Sequence, residues 1–203
     1  GVKCEVIHFD TTAFAAEHKQ SIEMAARELR YREFERLRQA HDLDAIAVAH
    51  HQDDAVETLL LNLIRGAGIN GLTGMRVKNG HVVRPLLCLT RNEVVDYLDH
   101  LGQTYVTDST NLQHDVLRNR IRLEVMPLLE QLQPAARQTL WRAAQNVGNS
   151  LPYYIEGVSK AMACCGFKDD RLDIETYQEN GCPLTLLHEW LYPYGFNTLQ
   201  LSD

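Results

Sequence analysis

The sequence contains no long hydrophobic segment, although 45% of its 203 residues are hydrophobic. A membrane-spanning helix needs about 20 consecutive apolar residues, and no run approaches that length. No secretory signal opens the sequence, and it contains no internal repeat or low-complexity segment. These absences indicate a cytoplasmic globular protein of one or two domains that does not cross a membrane.

Cysteine is scarce and follows no recognisable pattern. The five cysteines include no C-x-x-C pair, and they are Cys4, Cys88, Cys164, Cys165 and Cys182. An odd and irregular set argues against a disulfide framework and against a zinc or iron–sulfur site. We therefore expect reduced structural thiols, with the adjacent Cys164 and Cys165 buried in a helix, and no metal held by protein ligands.

Positive charge is in deficit, because 20 basic residues face 27 acidic ones and the net charge is −7. Phosphate binding depends on the local density of Lys and Arg rather than on the total. The densest basic segment contains Arg118, Arg120 and Arg122, with Arg84 and Arg91 as candidate neighbours. The total charge disfavours an extensive nucleic-acid interface, whereas this segment could still contact phosphate.

The most informative segment joins an apolar strand to a helix through a run of polar residues. Residues 45–49 are apolar on both faces, which is typical of a buried parallel strand. The ionisable residues that follow are His50, His51, Asp53, Asp54 and Glu57. Ligands of open α/β sheets bind beyond the carboxyl ends of the strands, so we expect the chemistry of the protein at this point.

Two interpretations of these carboxylates remain open. Asp54 and Glu57 are three residues apart, so a helix places both on one face, and acidic residues in a first turn favour the helix dipole. Beside a strand end and His50, the pair could instead bind magnesium or the ammonium group of an amino-acid substrate. A transition-metal site is disfavoured, because side chains adjacent in sequence rarely point at one metal.

Alternating strands and helices over residues 1–125 predict an α/β domain with a parallel sheet. The expected elements are a strand over residues 2–9, helices over residues 21–41, 54–65 and from a capping box at Thr90–Glu93, and a short strand at residues 105–106. From Leu117 onward the pattern is helical, with Pro127 expected to break one helix and Gly148 to end the next. We predict that residues 126–203 form a helical linker or a second domain, which is incomplete here.

Several motifs together resemble one known family. A-H-H-x-D-D-x-x-E-T at residues 49–58, followed by Arg65-Gly66-Ala67-Gly68, resembles the tRNA(Ile)-lysidine synthases, which are PP-loop ATP pyrophosphatases. The resemblance continues in order through residues 71–75, 84–87, 108–111 and 118–122. It is dense from Ser21 to Pro127 and thin beyond. It implies the sheet of a PP-loop ATP pyrophosphatase domain, incomplete here, followed by a helical region.

The resemblance also implies an activity, which is the attachment of lysine to the wobble cytidine of the tRNA(Ile) that carries a CAU anticodon. ATP and magnesium would be the cofactors, and lysine and tRNA(Ile) the partners. Arg30 and His50 would flank the activated base, while Asp54 and Glu57 would orient lysine. The remaining substrate-binding residues would be Asp53, Arg65, Gly66, Arg118, Arg120 and Arg122.

One family motif, the Ser-Gly-Gly-x-Asp-Ser loop that would hold pyrophosphate, is absent from these 203 residues. We therefore expect a fragment that does not transfer lysine by itself and whose sheet exposes an edge. An exposed edge favours association, which leaves a homodimer open. Three other functions remain as alternatives: another PP-loop enzyme such as a tRNA thiolase, a non-catalytic RNA- or protein-binding module, and a metal-dependent hydrolase.

Overall fold

The computed structural model describes residues 4–106, 117–168 and 171–196. Its helices are α1 Thr11–Glu17, α2 Ile22–Ala40, α3 Gln52–Ile64, α4 Ile69–Leu72, α5 Arg91–His100, α6 Leu117–Arg120, α7 Met126–Leu132, α8 Ala136–Cys164, α9 Ile174–Glu179 and α10 Leu184–Leu191. Its strands are β1 Ile46–Ala47, β2 Lys78–Asn79, β3 Val82–Val83, β4 Phe167–Lys168 and β5 Arg171–Leu172. No described helix is long and apolar enough to cross a lipid bilayer.

The chain divides into two compact units built from alternating segments. Unit 1 contains Gly1–Ala55 and Met75–Val106, and unit 2 contains Val56–Gly74 and Thr107–Asp203. The domain boundary expected between residues 125 and 126 stays a prediction, because these units follow three-dimensional proximity and not a single cut in the sequence.

Unit 1 contains a sheet with the strand order β1-β3-β2. β1 pairs with β3 in parallel, with Ile46 opposite Val82, and β2 pairs with β3 antiparallel. The expected α/β fold with parallel pairing is therefore confirmed. The expectation that residues 45–49 are buried on both faces is wrong, because residues 46 and 48 are half-buried while 45, 47 and 49 are exposed. Only one face of β1 is covered by described residues.

Two expected strands do not form within the described residues. Residues 4–9 carry no strand although they are rich in apolar side chains, and Val6 is 75% exposed. Residues 105–106 also carry none, and Val106 is 95% exposed. A strand requires ladder hydrogen bonds to a neighbour as well as suitable side chains. No described strand lies beside either segment, so the local preference is not realised.

Two helices of unit 1, α2 and α5, begin where the sequence predicts, whereas α1 forms over Thr11–Glu17, where no helix was expected. Ser21 precedes α2, and its Oγ accepts a hydrogen bond from the Met24 N–H at 3.2 Å. At the start of α5, the Thr90 Oγ accepts from the Glu93 N–H and the Glu93 carboxylate accepts from the Thr90 N–H. These hydrogen bonds from Thr90 hold the pKa of Glu93 below its usual value. The expected helix over residues 21–41 and the expected capping box are confirmed.

In unit 2, the helical run does not break at Pro127. α6 continues into a π-helical turn, Ile121–Val125, and then into α7 with Pro127 in its first turn. Proline cannot donate a backbone hydrogen bond and crowds the carbonyl four residues earlier. The wider π turn, in which the Met126 N–H donates to the Ile121 carbonyl, precedes the proline. The chain therefore passes Pro127 without leaving the helix, and the expected break is wrong.

The next helix, α8, is longer than expected, because it continues past Gly148 and Pro152 to Cys164. A glycine inside a helix costs about 1 kcal/mol relative to alanine, an amount that tertiary packing can offset. α8 buries Ala136, Ala144 and Leu151 along its length. The expected end at Gly148 is wrong because this packing outweighs the local preference.

The cysteine expectation is wrong in two respects. Cys165 forms a disulfide with Cys182, and Cys164 is exposed rather than buried. The chain reverses after α8 through Gly166, whose φ of +79° favours glycine, and returns through the β4–β5 hairpin and α9. The two cysteines meet only because the chain reverses here, so their spacing in the sequence does not predict the disulfide. Cys4, Cys88 and Cys164 are free thiols.

The cap of α2 provides a test of unit 1. Replacing Ser21→Ala removes the acceptor for the Met24 N–H, so the free energy of unfolding should fall by about 1 kcal/mol. Urea denaturation followed by circular dichroism measures the change. Ser21→Asp retains a capping oxygen and is the control. Equal stability of Ser21→Ala and the unchanged chain would show that the cap contributes nothing.

Candidate functional site

The polar run after β1 is held by backbone hydrogen bonds at the start of α3. The Asp54 carboxylate accepts from the His51 N–H at 3.0 Å, which satisfies an open amide at the beginning of the helix. The His51 Nδ1 lies 3.4 Å from the Asp54 Oδ2 and 3.7 Å from the Asp53 Oδ2. Asp54 therefore fills an ordinary helix-start role, and its contact with a substrate stays a prediction.

Asp53 connects the start of α3 to the start of α5 within unit 1. Its Oδ2 accepts a hydrogen bond from the Arg91 N–H at 2.8 Å. Nearby, the Gln52 N–H donates to the Leu89 carbonyl at 2.8 Å. Because a carboxylate at a helix N-terminus is favoured by the helix dipole, Asp53 stabilises the position of α5 relative to the polar run.

His50 lies beside a buried arginine that the sequence did not connect to it. Arg84 is 7% exposed, and its Nη1 donates to the Arg76 carbonyl at 2.7 Å. Its Nε donates to the His50 Nδ1 at 3.4 Å. An Nδ1 that accepts a hydrogen bond carries no proton, so this contact favours the neutral imidazole with its proton on Nε2.

The parallel pairing of β1 with β3 explains this contact. His50 follows β1 and Arg84 follows β3 directly, so both side chains start from the carboxyl ends of neighbouring parallel strands. The parallel sheet expected from the sequence could therefore have predicted the contact, because the carboxyl ends of parallel strands share one edge of the sheet. The sequence placed Arg84 only as a neighbour of the basic segment.

Arg30, also in unit 1, is exposed on α2. The structure shows no hydrogen bond or ion pair of its side chain with a described residue. Its expected contact with the activated base stays a prediction.

In unit 2, the expected lysine ligand and two of the expected phosphate ligands contact one another. Glu57 is 1% exposed, and its Oε1 accepts from the Arg122 Nε at 2.6 Å. Its Oε2 accepts from the Arg122 Nη2 at 2.8 Å and from the Arg118 Nε at 3.0 Å. These three residues, which we call the Arg–Glu–Arg cluster, join α3 to the helical run 117–132.

The Arg–Glu–Arg cluster could not be foreseen from spacing, because Glu57 and Arg118 are 61 residues apart. The four-residue spacing of Arg118 and Arg122 indicated a shared helix face, and the structure shows that both guanidinium groups reach Glu57. Removing one partner of a buried ion pair leaves an uncompensated buried charge, which is strongly destabilising. The cluster therefore has a structural role, whereas its contacts with substrate stay predictions.

The other expected substrate-binding residues of unit 2 lie at the surface. Arg120 pairs with Glu124 at 3.2 Å, and this hydrogen-bonded carboxylate raises the pKa of Arg120. Arg65 is exposed just after α3, and Gly66 has a φ of +72°, which favours glycine. Residues 108–111, which carry part of the family resemblance, lie outside the described residues. Among those that are described, no group of three or more His, Cys, Asp or Glu side chains is placed to hold a metal ion.

Comparisons with known proteins agree with the family resemblance that the order of the motifs indicated. The family model described as PP-loop domain matches residues 1–129. The chain is 42% identical over 203 residues to the tRNA(Ile)-lysidine synthase of Bacteroides thetaiotaomicron, covering 100% of this chain and 47% of that protein. It is 47% identical over 197 residues to the tRNA(Ile)-lysidine synthase of Parabacteroides distasonis, covering 97% of this chain and 45% of that protein. The chain thus spans about half the length of these relatives.

Among solved structures, the chain resembles the U34-tRNA thiolase NcsA from Methanococcus maripaludis with its [4Fe-4S] cluster. The likeness has a TM-score of 0.47 and 18% identity, and it covers 60% of this chain and 42% of that one. A similarity of this size supports no conclusion about chemistry.

The Arg–Glu–Arg cluster predicts a large effect of one substitution. Glu57→Gln should lower the free energy of unfolding by about 3–5 kcal/mol, because two guanidinium groups would lose their common carboxylate. Urea denaturation monitored by tryptophan fluorescence measures this loss, since Trp141 packs against the core that contains Val56.

The matched control for this test is Glu156→Gln on α8, which removes a carboxylate from an exposed pair with Lys160. Exposed pairs of this kind contribute at most about 1 kcal/mol. Equal stability of the Glu57→Gln and Glu156→Gln variants would contradict a structural role for the cluster.

Proposed function

The chain belongs to the PP-loop domain family, and we propose that the protein carrying it forms lysidine in tRNA. The reaction would be the ATP-dependent attachment of lysine to the wobble cytidine of the tRNA(Ile) with a CAU anticodon. The observation that carries this proposal is 42% identity with a tRNA(Ile)-lysidine synthase across the full 203 residues. The polar run after β1, with its ordered side chains, supplies suitable groups at the expected edge of the sheet.

The proposed reaction has two steps. The O2 oxygen of the cytosine attacks the α-phosphorus of ATP, and pyrophosphate leaves. The uncharged ε-amine of lysine then attacks C2, the bond between C2 and the adenylated oxygen breaks, and AMP leaves while the amine loses a proton. Positioning and charge stabilisation account for most of the acceleration in such a reaction. Magnesium would accompany the phosphates of ATP, and we assign it no ligand in this chain.

In this proposal His50 and Arg30 flank the activated base. Arg84 donates to the His50 Nδ1, so the proton of the neutral imidazole lies on Nε2, and in this proposal Nε2–H donates to the base or to a phosphate oxygen. Arg84 thus acts as a positioning residue for His50.

Asp54 and Glu57 orient lysine in this proposal, and most of the hydrogen-bonding capacity of Glu57 is already engaged by arginines. A carboxylate has about four lone-pair sites, and hydrogen bonds from Arg118 and Arg122 take three of them on Glu57. Glu57 would therefore give the ammonium one further site on its Oε1 while its arginines stay bound. Asp54 would be the main contact of the lysine ε-amine and the acceptor of its proton.

The remaining arginines would contact phosphate, with Arg65 beside Gly66 and Arg120 on the exposed side of α6. Asp53 supports this arrangement indirectly by fixing the start of α5. An RNA-binding module without catalysis is the second candidate, because these 203 residues contain no Ser-Gly-Gly-x-Asp-Ser loop. Such a module would bind tRNA without dependence on ATP or lysine.

Lysine incorporation tests the proposal directly. The full-length protein that contains this chain should transfer radiolabelled lysine to a tRNA(Ile) transcript with a CAU anticodon, and only when ATP is present. A transcript with a GAU anticodon should accept none. Binding of the CAU transcript without incorporation would support the binding module instead.

Within this assay, His50→Ala should reduce incorporation by roughly 10²–10⁴-fold, the range for removing a catalytic proton donor. His100→Ala on α5 is the matched control and should retain activity, because this histidine is exposed in the last turn of that helix. Unchanged incorporation by the His50→Ala variant would remove His50 from the site.

The 203-residue chain alone should show no lysine incorporation, because it contains no Ser-Gly-Gly-x-Asp-Ser loop to hold the phosphates of ATP. The same assay, with the chain at micromolar concentration and saturating ATP, measures this. Sustained turnover by the chain alone would require another phosphate-binding segment within these residues.

A further inference from the structure

Unit 2 contains a cleft of about 560 Å³, and of the residues placed in the proposed reaction its described lining includes only Gly66. One wall is the glycine-rich segment Gly66–Gly71, whose shape is fixed by a hydrogen bond from the Asn62 Nδ2 to the Gly71 carbonyl at 2.8 Å. The opposite wall comes from α8, from α10 and from the turn that follows α10. The cleft is therefore formed by secondary structure on one side and an anchored loop on the other.

Glu189 is the acidic side chain of this cleft, and it forms no ion pair with a Lys or Arg among the described residues. Its side chain is 20% exposed, and it accepts a hydrogen bond from the Tyr154 hydroxyl at 2.9 Å. Burial and the neighbouring Glu189 raise the pKa of Tyr154, so this hydroxyl stays a donor. The His188 Nδ1 lies 4.0 Å from the Glu189 Oε1. A largely buried carboxylate without a Lys or Arg partner favours a ligand that donates hydrogen bonds.

Aromatic side chains provide the second recognition element. Tyr154, Tyr192 and Phe196 line the cleft beside Glu189. No Lys or Arg belongs to the described lining, so the interior suits a flat uncharged group better than a phosphate. Arg65 precedes the lining residue Gly66 and is exposed, so a phosphate attached to such a group could be met outside the cleft.

We propose that this cleft binds an unpaired RNA base that carries an exocyclic amine, cytosine or adenine. The base stacks on the aromatic side chains, and its amine donates a hydrogen bond to Glu189. Proteins recognise single-stranded RNA by stacking splayed bases on aromatic rings and by hydrogen bonding their edges, and Glu accepts from the cytosine amine. The proposal rests on the proposed function in one respect, which is that tRNA supplies the nucleotide.

The test compares pentacytidylate with pentauridylate, which have equal phosphate charge and differ in the exocyclic amine. Fluorescence anisotropy with the 203-residue chain should give at least about tenfold tighter binding of pentacytidylate, the contribution of one hydrogen bond to a charged group. Glu189→Gln should abolish this preference or reverse it, because the glutamine amide can donate to the uracil O4. Glu156→Gln, on the exposed side of α8, should keep the preference.

A second variant separates recognition from folding. Tyr192 is 55% exposed, so Tyr192→Ala should leave the melting temperature unchanged while it weakens binding of both oligonucleotides equally. Tyr192→Phe keeps the ring and should restore binding. Unaltered binding by Tyr192→Ala, or equal affinity of the unchanged chain for the two oligonucleotides, would overturn the proposal. Competition by lysine or butylamine against pentacytidylate would also overturn it and would assign the cleft to an ammonium group.

The outcome is independent of the lysine assay. Cytidine preference in this chain without lysine incorporation by the full-length protein would leave the cleft as an RNA site and remove the proposed reaction. Lysine incorporation that persists while the oligonucleotides bind without preference would remove the cleft proposal alone.

Discussion

A carboxylate that is 1% exposed must keep its compensating charges, and in unit 2 this requirement determines how α3 meets the helical run 117–132. Glu57 extends from α3 beside Val56 and Leu60, and its arginine partners flank Ile121, which packs in the same core. Apolar packing brings the two helices together, while the ion pairs fix their register. A shift along either helix would leave the buried Glu57 carboxylate without its arginine partners. The π turn, which contains Arg122, is part of that register.

In unit 1, hydrogen bonds hold the side chains after β1 in place, and its described residues include no buried ion-pair cluster of the kind found in unit 2. Three polar side chains after β1 are held by hydrogen bonds: Asp54 by the His51 amide at the start of α3, Asp53 by an amide of α5, and His50 by the buried Arg84. A site whose groups are already held in place needs less reorganisation when a substrate binds. The structural roles of these residues therefore support the catalytic roles that we propose for them.

The sequence predicted features that depend on nearby residues and missed those that depend on distant ones. The start of α2 near Ser21, the capping box at Thr90 and the parallel strand at Ile46 follow from local chemistry and hydrophobic pattern. The pairing of Glu57 with Arg118 and the disulfide between Cys165 and Cys182 arise only when the chain folds back on itself. Residues 4–9 show the converse error, because strand propensity without a partner strand produces no strand. The family resemblance came from motif order, and it named Glu57, Arg118 and Arg122 without indicating that they contact one another.

The same ion pairs bear on how an acidic protein could recognise RNA. Many of its arginines are engaged by carboxylates, in the pairs Arg36–Glu33, Arg38–Glu35, Arg118–Glu57, Arg120–Glu124, Arg122–Glu57 and Arg137–Glu130. In one of them, hydrogen bonds from Arg38 and Gln39 lower the pKa of Glu35 to about 2, so Glu35 stays ionised at physiological pH. A count of basic residues therefore overstates the charge that this chain offers to phosphate. Recognition by base stacking and by hydrogen bonds to base edges depends less on that charge than phosphate contact does, and aromatic rings beside a carboxylate suit this mode.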